Sequence, residues 1–339
     1  MLLTADLTGV PVLVLGAPDD TRRARRRYEA AGAAVRSVAE PALLGPADLA
    51  GVALAVVVGP AARWREALAA AGARVPVVQE PAARTGGRVA LVGGGPGADD
   101  LLTVRAVAAL QDADVVFVDR LAPAGAVAAA APGAEIVPVG KTPGHHPVPQ
   151  ARIQELMVEH ALAGRSVVRL KGGDPYVFGR GGEELAACAA HGIPVDVVPG
   201  ITSAVSVPGA AGIPVTFREV SRMFTVASGH VPFSEAELAH FAGLNAAGGT
   251  LVVLMGVATL PHLVAGLVRA GADPATPLAV VERGFTDRQR STITTLAHAV
   301  ADTAAAGCGS PAVVVVGSVV RLATAERDAF LAEVSAHGC

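Results

Sequence analysis

Short apolar runs recur along the chain, and each ends at glycine, proline or a charged residue. The first, Val10–Leu15, stops at Gly16 and is followed by an Arg-rich stretch with helical character to about Ala31. Val52–Val58 and Val75–Val78 repeat the pattern, which predicts a small parallel-sheet unit of the first 80 or so residues. The segment Pro81-Ala-Ala-Arg-Thr-Gly-Gly-Arg88 has turn composition and reads as a linker. Beyond it, apolar runs at Val89–Val92, Val115–Val118, Ile136–Val139, Val167–Leu170 and Val195–Val198 alternate with helical stretches, notably Leu101–Gln111 and Gln150–Ala163. Continuous Val/Leu/Ile runs between helices predict a parallel sheet covered on both faces. Residues 199–222 are rich in Pro, Gly, Ser and Thr and lead into a third set of runs: Met223–Ala227, Thr250–Met255, Leu278–Val281 and Ala312–Val316. A mixed sheet with helices is expected there.

Composition narrows the function classes. The 339 residues are 52% hydrophobic and 17% charged, enough for two or three α/β cores and too apolar for a disordered chain. No apolar run reaches the ~18 residues of a membrane span, and Met1–Asp6 lacks the features of a signal peptide; a cytoplasmic protein is expected. A net charge of -3 and 3% aromatic residues give no case for nucleic acid or an acidic membrane surface. The one basic cluster, Arg22, Arg23, Arg25, Arg26 and Arg27, reads as a solvated helix face. Cys188, Cys308 and Cys339 form no CxxC or metal-spaced cluster, so no metal site is expected.

The chemistry sits in loops after apolar runs. Gly93-Gly-Gly-Pro-Gly-Ala-Asp-Asp100 is a strand-to-helix turn that either binds a ligand or permits tight packing; it is no Walker loop. Asp119-Arg120-Leu121 places an acid and a base at a strand end, where such sheets bind ligands, although Asp119 is equally a helix-capping candidate. Gly140-Lys-Thr-Pro-Gly-His-His146 follows another strand, and its adjacent histidines point to different faces. The stretch Arg169-Leu-Lys-Gly-Gly-Asp-Pro-Tyr-Val-Phe-Gly-Arg-Gly-Gly-Glu183 packs five glycines with an acid and cations after a strand. Pro199-Gly-Ile-Thr-Ser-Ala204 adds small hydroxyls for a ligand or a cap. These loops argue for one shared cleft, and their spacing does not identify its ligand.

Taken in order, the motifs Val-Gly-Gly-Gly-Pro-Gly (92–97), Asp-Arg-Leu (119–121), Val-Gly-Lys (139–141), Arg-Leu-Lys-Gly-Gly-Asp-Pro (169–175), Phe-Gly-Arg-Gly-Gly-Glu-Glu (178–184) and Pro-Gly-Ile-Thr-Ser-Ala (199–204) carry a specific likeness. So do Ala-Gly-Ile-Pro-Val-Thr (211–216), Ser-Gly-His (228–230), Leu-Met-Gly (254–256) and Val-Glu-Arg-Gly (281–284). Residues 88–320 resemble the uroporphyrinogen-III C-methyltransferases of the tetrapyrrole methylase family. The resemblance implies two α/β domains with the active-site cleft between them, residues 86–205 and 206–325, preceded by a Rossmann-like unit at 1–85. It implies S-adenosylmethionine as cofactor, with S-adenosylhomocysteine as product, lined by Pro96, Gly172, Gly173, Asp174, Val177, Thr202, Ser203, Met255 and Gly284. It matches Asp119 to a proton acceptor and Lys141 to a proton donor. The implied substrate, uroporphyrinogen III, carries eight carboxylates, which makes Arg120, Lys171, Arg180, Arg218 and Arg222 candidate contacts. A homodimer is implied as well. Phe217 stands where the family often has His, and Ser318 where it often has an acid.

Residues 7–81 resemble a reduced copy of the NAD-binding dehydrogenase/ferrochelatase domain of siroheme synthase. Gly16-Ala-Pro-Asp-Asp20 keeps one glycine of the expected three, Gln79 stands at the place of the catalytic acid, and the linker leads straight into the methylase region. Pro18 and Asp19 obstruct or repel a pyrophosphate, so NAD use is not expected. The reading is a C-methylase acting at C2 and C7 of uroporphyrinogen III for siroheme or cobalamin synthesis. The alternatives are a bifunctional siroheme synthase, a methylase of a later corrin intermediate and a non-enzymatic tetrapyrrole- or cofactor-binding regulator.

Overall fold

The computed structural model describes residues 6–82, 86–140, 148–325 and 327–337, so Lys141, His145, His146 and Cys339 lie outside the described residues. Two compact units emerge: residues 1–94 with 102–200, and residues 95–101 with 201–339.

The first unit opens with β1 (Pro11–Leu15), α1 (Pro18–Ala30), β2 (Ala34–Val38), β3 (Leu54–Val58), α2 (Ala61–Ala70) and β4 (Val77–Glu80). All four strands are parallel, in the order β2-β1-β3-β4. Both faces of β1 and β3 are buried, with Val12, Val14, Val56 and Val58 under α1 and Leu13, Leu15, Ala55 and Val57 under α2. That two-sided burial is why these strands read as unbroken apolar runs.

The same unit continues with β5 (Arg88–Gly93), α3 (Val104–Gln111), β6 (Val115–Val118), α4 (Ala124–Ala130), β7 (Glu135–Pro138), α5 (Gln150–Leu162), β8 (Ser166–Lys171), α6 (Gly181–Ala189) and β9 (Val195–Val198). Thr103 caps α3 by accepting the Ala106 N–H at 3.1 Å. The sheet is wholly parallel, ordered β7-β6-β8-β5-β9. One face packs Ala106, Leu110 and Val127; the other packs Ile153, Met157 and Cys188. From β5 the chain crosses to β6, and from β8 it crosses the opposite way to β9. The loops after these neighbouring strands therefore flank a topological switch point, where open α/β sheets bind ligands.

The second unit contains α7 (Ser203–Ala210), β10 (Phe224–Ser228), α8 (Glu235–Ala246), β11 (Thr250–Leu254), α9 (Leu260–Arg269), β12 (Pro277–Glu282), β13 (Arg290–Thr295), α10 (Ala299–Ala305), β14 (Ala312–Val316) and α11 (Arg327–His337). Its sheet is mixed, β10-β11-β14-β12-β13. A capping box starts α8: Ser234 Oγ accepts from Glu237 N–H, and the Glu237 carboxylate accepts from Ser234 N–H at 2.8 Å. Because β14 is antiparallel to both β11 and β12, strands β10, β11 and β12 run the same way. The motifs at 228–230, 254–256 and 281–284 consequently lie at the same, C-terminal end of these three strands.

The Arg cluster departs from the expected solvated face. Arg25 is exposed, but Arg22 and Arg26 pair with buried Asp114, Arg23 pairs with Asp112, and Arg27 pairs with Glu80. Helix α1 thus docks the N-terminal sheet onto the start of β6. Asp112 and Asp114 lie 88 to 92 positions away in sequence and Glu80 lies 53 away, out of reach of any local pattern.

Candidate active site

Four loops of the first unit converge because their backbones are bare. A Cβ on Gly93 would strike the backbone of Gly200 and Gly173, and one on Gly200 would strike Gly93. A Cβ on Gly94 would meet Pro123 at 2.7 Å and the Lys171 carbonyl oxygen at 3.0 Å; one on Gly172 would meet Leu121 at 3.0 Å. The glycines at these positions first serve loop-on-loop packing. That packing brings the ends of β5, β6, β8 and β9 together.

Asp174 ties two of these loops. Its Oδ1 accepts the Tyr176 N–H at 2.8 Å and its Oδ2 accepts the Gly200 N–H at 3.0 Å. Each carboxylate oxygen keeps a further lone pair for a ligand. Gly173 and two non-glycine residues nearby, Phe178 and Arg180, have positive φ. Such strain in bulky residues costs of order 1–3 kcal/mol each and collects where a loop is held for a task. Tyr176 and Phe178 are exposed, and Val177 is half-buried.

Asp119 follows β6, its side chain 30% exposed. Its Oδ1 accepts from Arg169 Nη2 at 2.6 Å, and its Oδ2 lies 3.9 Å from Lys171 Nζ. The cap reading is corrected: α4 has Pro123 as its N-cap with no side-chain cap, and the Ala122 N–H reaches the Asp119 backbone carbonyl, not the carboxylate. The carboxylate is therefore committed to buried cations behind it, with the remainder open.

The sequence-nominated cations divide. Arg120 is exposed. Arg180 is about half exposed and held bidentately by Glu183, at 2.9 and 2.7 Å. Lys171 is turned inward: its side chain is 3% exposed, with Nζ 3.0 Å from the Glu184 carboxylate. A substrate carboxylate does not reach a lysine so placed, because β8 is covered on both faces. Burial, and then Arg169 alongside, push the Lys171 ammonium below its usual range. Arg169 and Glu184, which the motif reading passed over as candidates, are the other buried members of this cluster. A signal existed in the sequence: Arg169 and Lys171 alternate within an otherwise apolar strand, and two cations on one face of a covered strand need acids.

In the second unit, Thr202 caps α7, accepting the Ala204 N–H at 3.3 Å, and Ser203 starts the helix. Pro96, on the segment 95–101, is half-buried. Met255 is 47% exposed at φ 58, and Arg283 and Phe285, either side of Gly284, also have positive φ. A Cβ on Gly284 would meet Val207 at 2.8 Å, so this glycine sits tight against α7. Ile201, Val205, Met223 and Phe224 are exposed apolar side chains of the same unit. Arg222 is exposed, as is Arg218, whose Nε contacts Glu219 at 3.3 Å. Among the described residues no group of three His, Cys, Asp or Glu is placed to hold a metal. No described helix is long and apolar enough to cross a membrane.

In the first unit, the Asp174 carboxylate keeps lone pairs that suit a cationic or hydroxyl-bearing ligand. In the second unit, Met255 offers an exposed, adaptable thioether and Thr202 and Ser203 offer small hydroxyls.

Comparison with known proteins identifies a family and several relatives. The model of the Tetrapyrrole (Corrin/Porphyrin) Methylases matches residues 88–300. An S-adenosyl-L-methionine-dependent uroporphyrinogen III methyltransferase of Methanosarcina barkeri is 47% identical over 238 residues, 70% of this chain and 93% of that protein. A siroheme synthase of Azotobacter vinelandii is 44% identical over 70% of this chain, which spans about half, 51%, of that protein's length. The crystal structure of uroporphyrin-III C-methyl transferase from Thermus thermophilus complexed with S-adenyl homocysteine superposes with a TM-score of 0.58 at 41% identity, covering 70% of this chain and 100% of that one.

Proposed function

This chain belongs to the tetrapyrrole methylase family, and from that premise we propose that it is the S-adenosylmethionine-dependent enzyme that methylates uroporphyrinogen III at C2 and then C7, giving precorrin-2 and two S-adenosylhomocysteines. The observation that carries the reading is the pairing of a ligand-ready glycine loop around Asp174 with the partly open Asp119 carboxylate at the adjoining strand end. When bound, the cofactor supplies an electrophilic methyl group on a sulfonium.

The chain's residues hold, orient and move a proton. Gly172, Gly173, Asp174 and Val177 of the first unit, and Pro96, Thr202, Ser203, Met255 and Gly284 of the second, are the proposed cofactor contacts. Asp174 suits the amine or a ribose hydroxyl as an acceptor. The ring carbon forms its new C–C bond while the C–S bond breaks. The methylated ring then loses a proton, and Asp119 is positioned to take it as a carboxylate. Most of the acceleration is alignment of two bound reactants. Lys141 is retained as proposed proton donor on resemblance alone. Arg120 and Arg180, with Arg218 and Arg222, are the proposed substrate-carboxylate contacts; Lys171 is reassigned to supporting Asp119.

The N-terminal unit is proposed to serve structure and not redox chemistry. In its glycine turn Pro18 occupies the first helical position with Asp19 and Asp20 in the first turn, and the Gln79 amide donates to the Gly59 carbonyl at 3.1 Å. Two carboxylates at a helix start repel the pyrophosphate that such a turn otherwise attracts. A homodimeric, cytoplasmic enzyme completes the proposal. The test is direct: pure protein, S-adenosylmethionine and uroporphyrinogen III, with product mass and absorbance followed. A gain of two methyl groups is expected; binding without methyl transfer would support the regulator instead.

A further inference from the structure

Strand β8 is the middle strand of a sheet covered on both faces, yet it carries two cations. Arg169 and Lys171 alternate, so they share one face, and both are buried, with side chains 2% and 3% exposed. Ions taken out of water cost several kcal/mol each unless paired and hydrogen-bonded. The compensation comes from Glu184, in the first turn of α6 and wholly buried. Its Oε1 accepts from Arg169 Nε at 3.0 Å, Lys171 Nζ at 3.1 Å and Gln150 Nε2 at 3.0 Å, and its Oε2 lies 3.0 Å from Lys171 Nζ. The far side of the same guanidinium donates to Asp119 Oδ1 at 2.6 Å. Arg169 Nη1 also reaches the Leu170 and Phe117 carbonyls, at 3.2 and 3.4 Å. The guanidinium is thus fixed from three sides.

We propose that Glu184 is a positioning residue for the proton-transfer step: it anchors Arg169 and Lys171 so that Asp119 is held in one pose within a charge-balanced set of two cations and two acids. The proposal rests on Asp119 being the proton acceptor. The groups facing Asp119 are Arg169 and Lys171 from β8, with Glu184 and Gln150 from α6 and α5 behind them; the Arg120 side chain is exposed. With Glu184 neutralised, both cations fall on Asp119 alone. The guanidinium loses its second anchor, and Asp119 becomes a weaker base. Removing one cation as well restores the balance, so the two losses compensate. An acid that only filled space would show no such compensation.

The experiment compares wild type with Glu184→Gln, Lys171→Met and the double variant in the full chain. It reads kcat, the KM for uroporphyrinogen III, S-adenosylmethionine affinity by calorimetry, and the melting midpoint. Glu184→Gln is expected to lower kcat by roughly ten- to a hundred-fold, the scale of misplacing a reacting group, with KM and cofactor affinity nearly unchanged. The double variant is expected to recover most of that kcat. Unchanged kcat in Glu184→Gln, or a double variant no faster than Glu184→Gln, overturns the proposal. A second readout needs no turnover: the 13C resonance of the Asp119 carboxyl should titrate at lower pH in Glu184→Gln than in wild type. No change in that titration also overturns the proposal. Wild type that binds but never methylates would sink the methyltransferase reading, while the Asp119 titration still judges Glu184.

Discussion

Replacing Asp114 with Ala tests how the N-terminal unit is held. Asp114 is 3% exposed and accepts from Arg22 at 2.7 Å, from Arg26, and from the Ser166 N–H at 2.9 Å. Breaking a buried pair costs ~3–5 kcal/mol when the stranded charge stays buried. Here Arg22 and Arg26 are 39% and 30% exposed, so they regain hydration, and the ionic part is discounted to ~1–2 kcal/mol. The Ser166 N–H, buried at the start of β8, loses its side-chain acceptor, for ~1–3 kcal/mol. The sum is about 3 kcal/mol, which for a chain of this size lowers the melting midpoint by about 4 °C. Scanning calorimetry of Asp114→Ala and Asp114→Asn separates the parts, because Asn keeps an acceptor for Ser166 and loses only the charge. The expected order is wild type, then Asn, then Ala. An Ala variant melting with wild type, or Asn falling as far as Ala, would refute the accounting.

Other outcomes follow from the same geometry. Deleting residues 1–85 should uncover Asp112 and Asp114 and lower the melting midpoint while leaving kcat near wild type; loss of kcat with intact cofactor affinity would give the N-terminal unit a catalytic part. Asp119→Asn should reduce kcat by ~10²–10⁴-fold with cofactor affinity unchanged by calorimetry, and full turnover would return Asp119 to a structural role. Asp174→Ala should weaken S-adenosylmethionine binding and, because both oxygens hold backbone N–H groups, also lower the melting midpoint; a change in neither would remove it from the site. Cys188 is buried, and burial followed by the Glu184 charge pushes its thiol up to about 11. At pH 8 it is almost all protonated, so alkylation followed by mass spectrometry should spare Cys188 in the native protein and modify it only after denaturation.

Much of this fold was legible because its strands are covered on both faces. The apolar runs at 89–92, 115–118 and 167–170 lie within β5, β6 and β8, and the motif loops sit at their ends. Two strands escaped, β2 and β13. Both are edge strands: Ala34–Val38 is largely exposed, and Arg290–Thr295 is polar throughout save Ile293. With one partner and one wet side, neither needs an apolar run. The ionic interior was less legible. The Arg run of α1 and the inward Lys171 owe their roles to acids at Asp114 and Glu184 that only the tertiary structure brings near. Within the five-glycine stretch, a Cβ on Gly172 would meet Leu121 of another loop, and one on Gly179 or Gly181 would meet the Pro175 backbone of the same loop, contacts that no sequence pattern announces.

The central claim is methyl transfer to a tetrapyrrole ring carbon, and single-turnover methylation tests it most directly. The protein is mixed with S-adenosylmethionine carrying a labelled methyl group and with uroporphyrinogen III, and the label is located by carbon NMR. The account predicts label on C2 first and then on C7, with S-adenosylhomocysteine formed in step. Tight binding of both compounds with the label remaining on sulfur, or label on a carboxylate in place of a ring carbon, would contradict it.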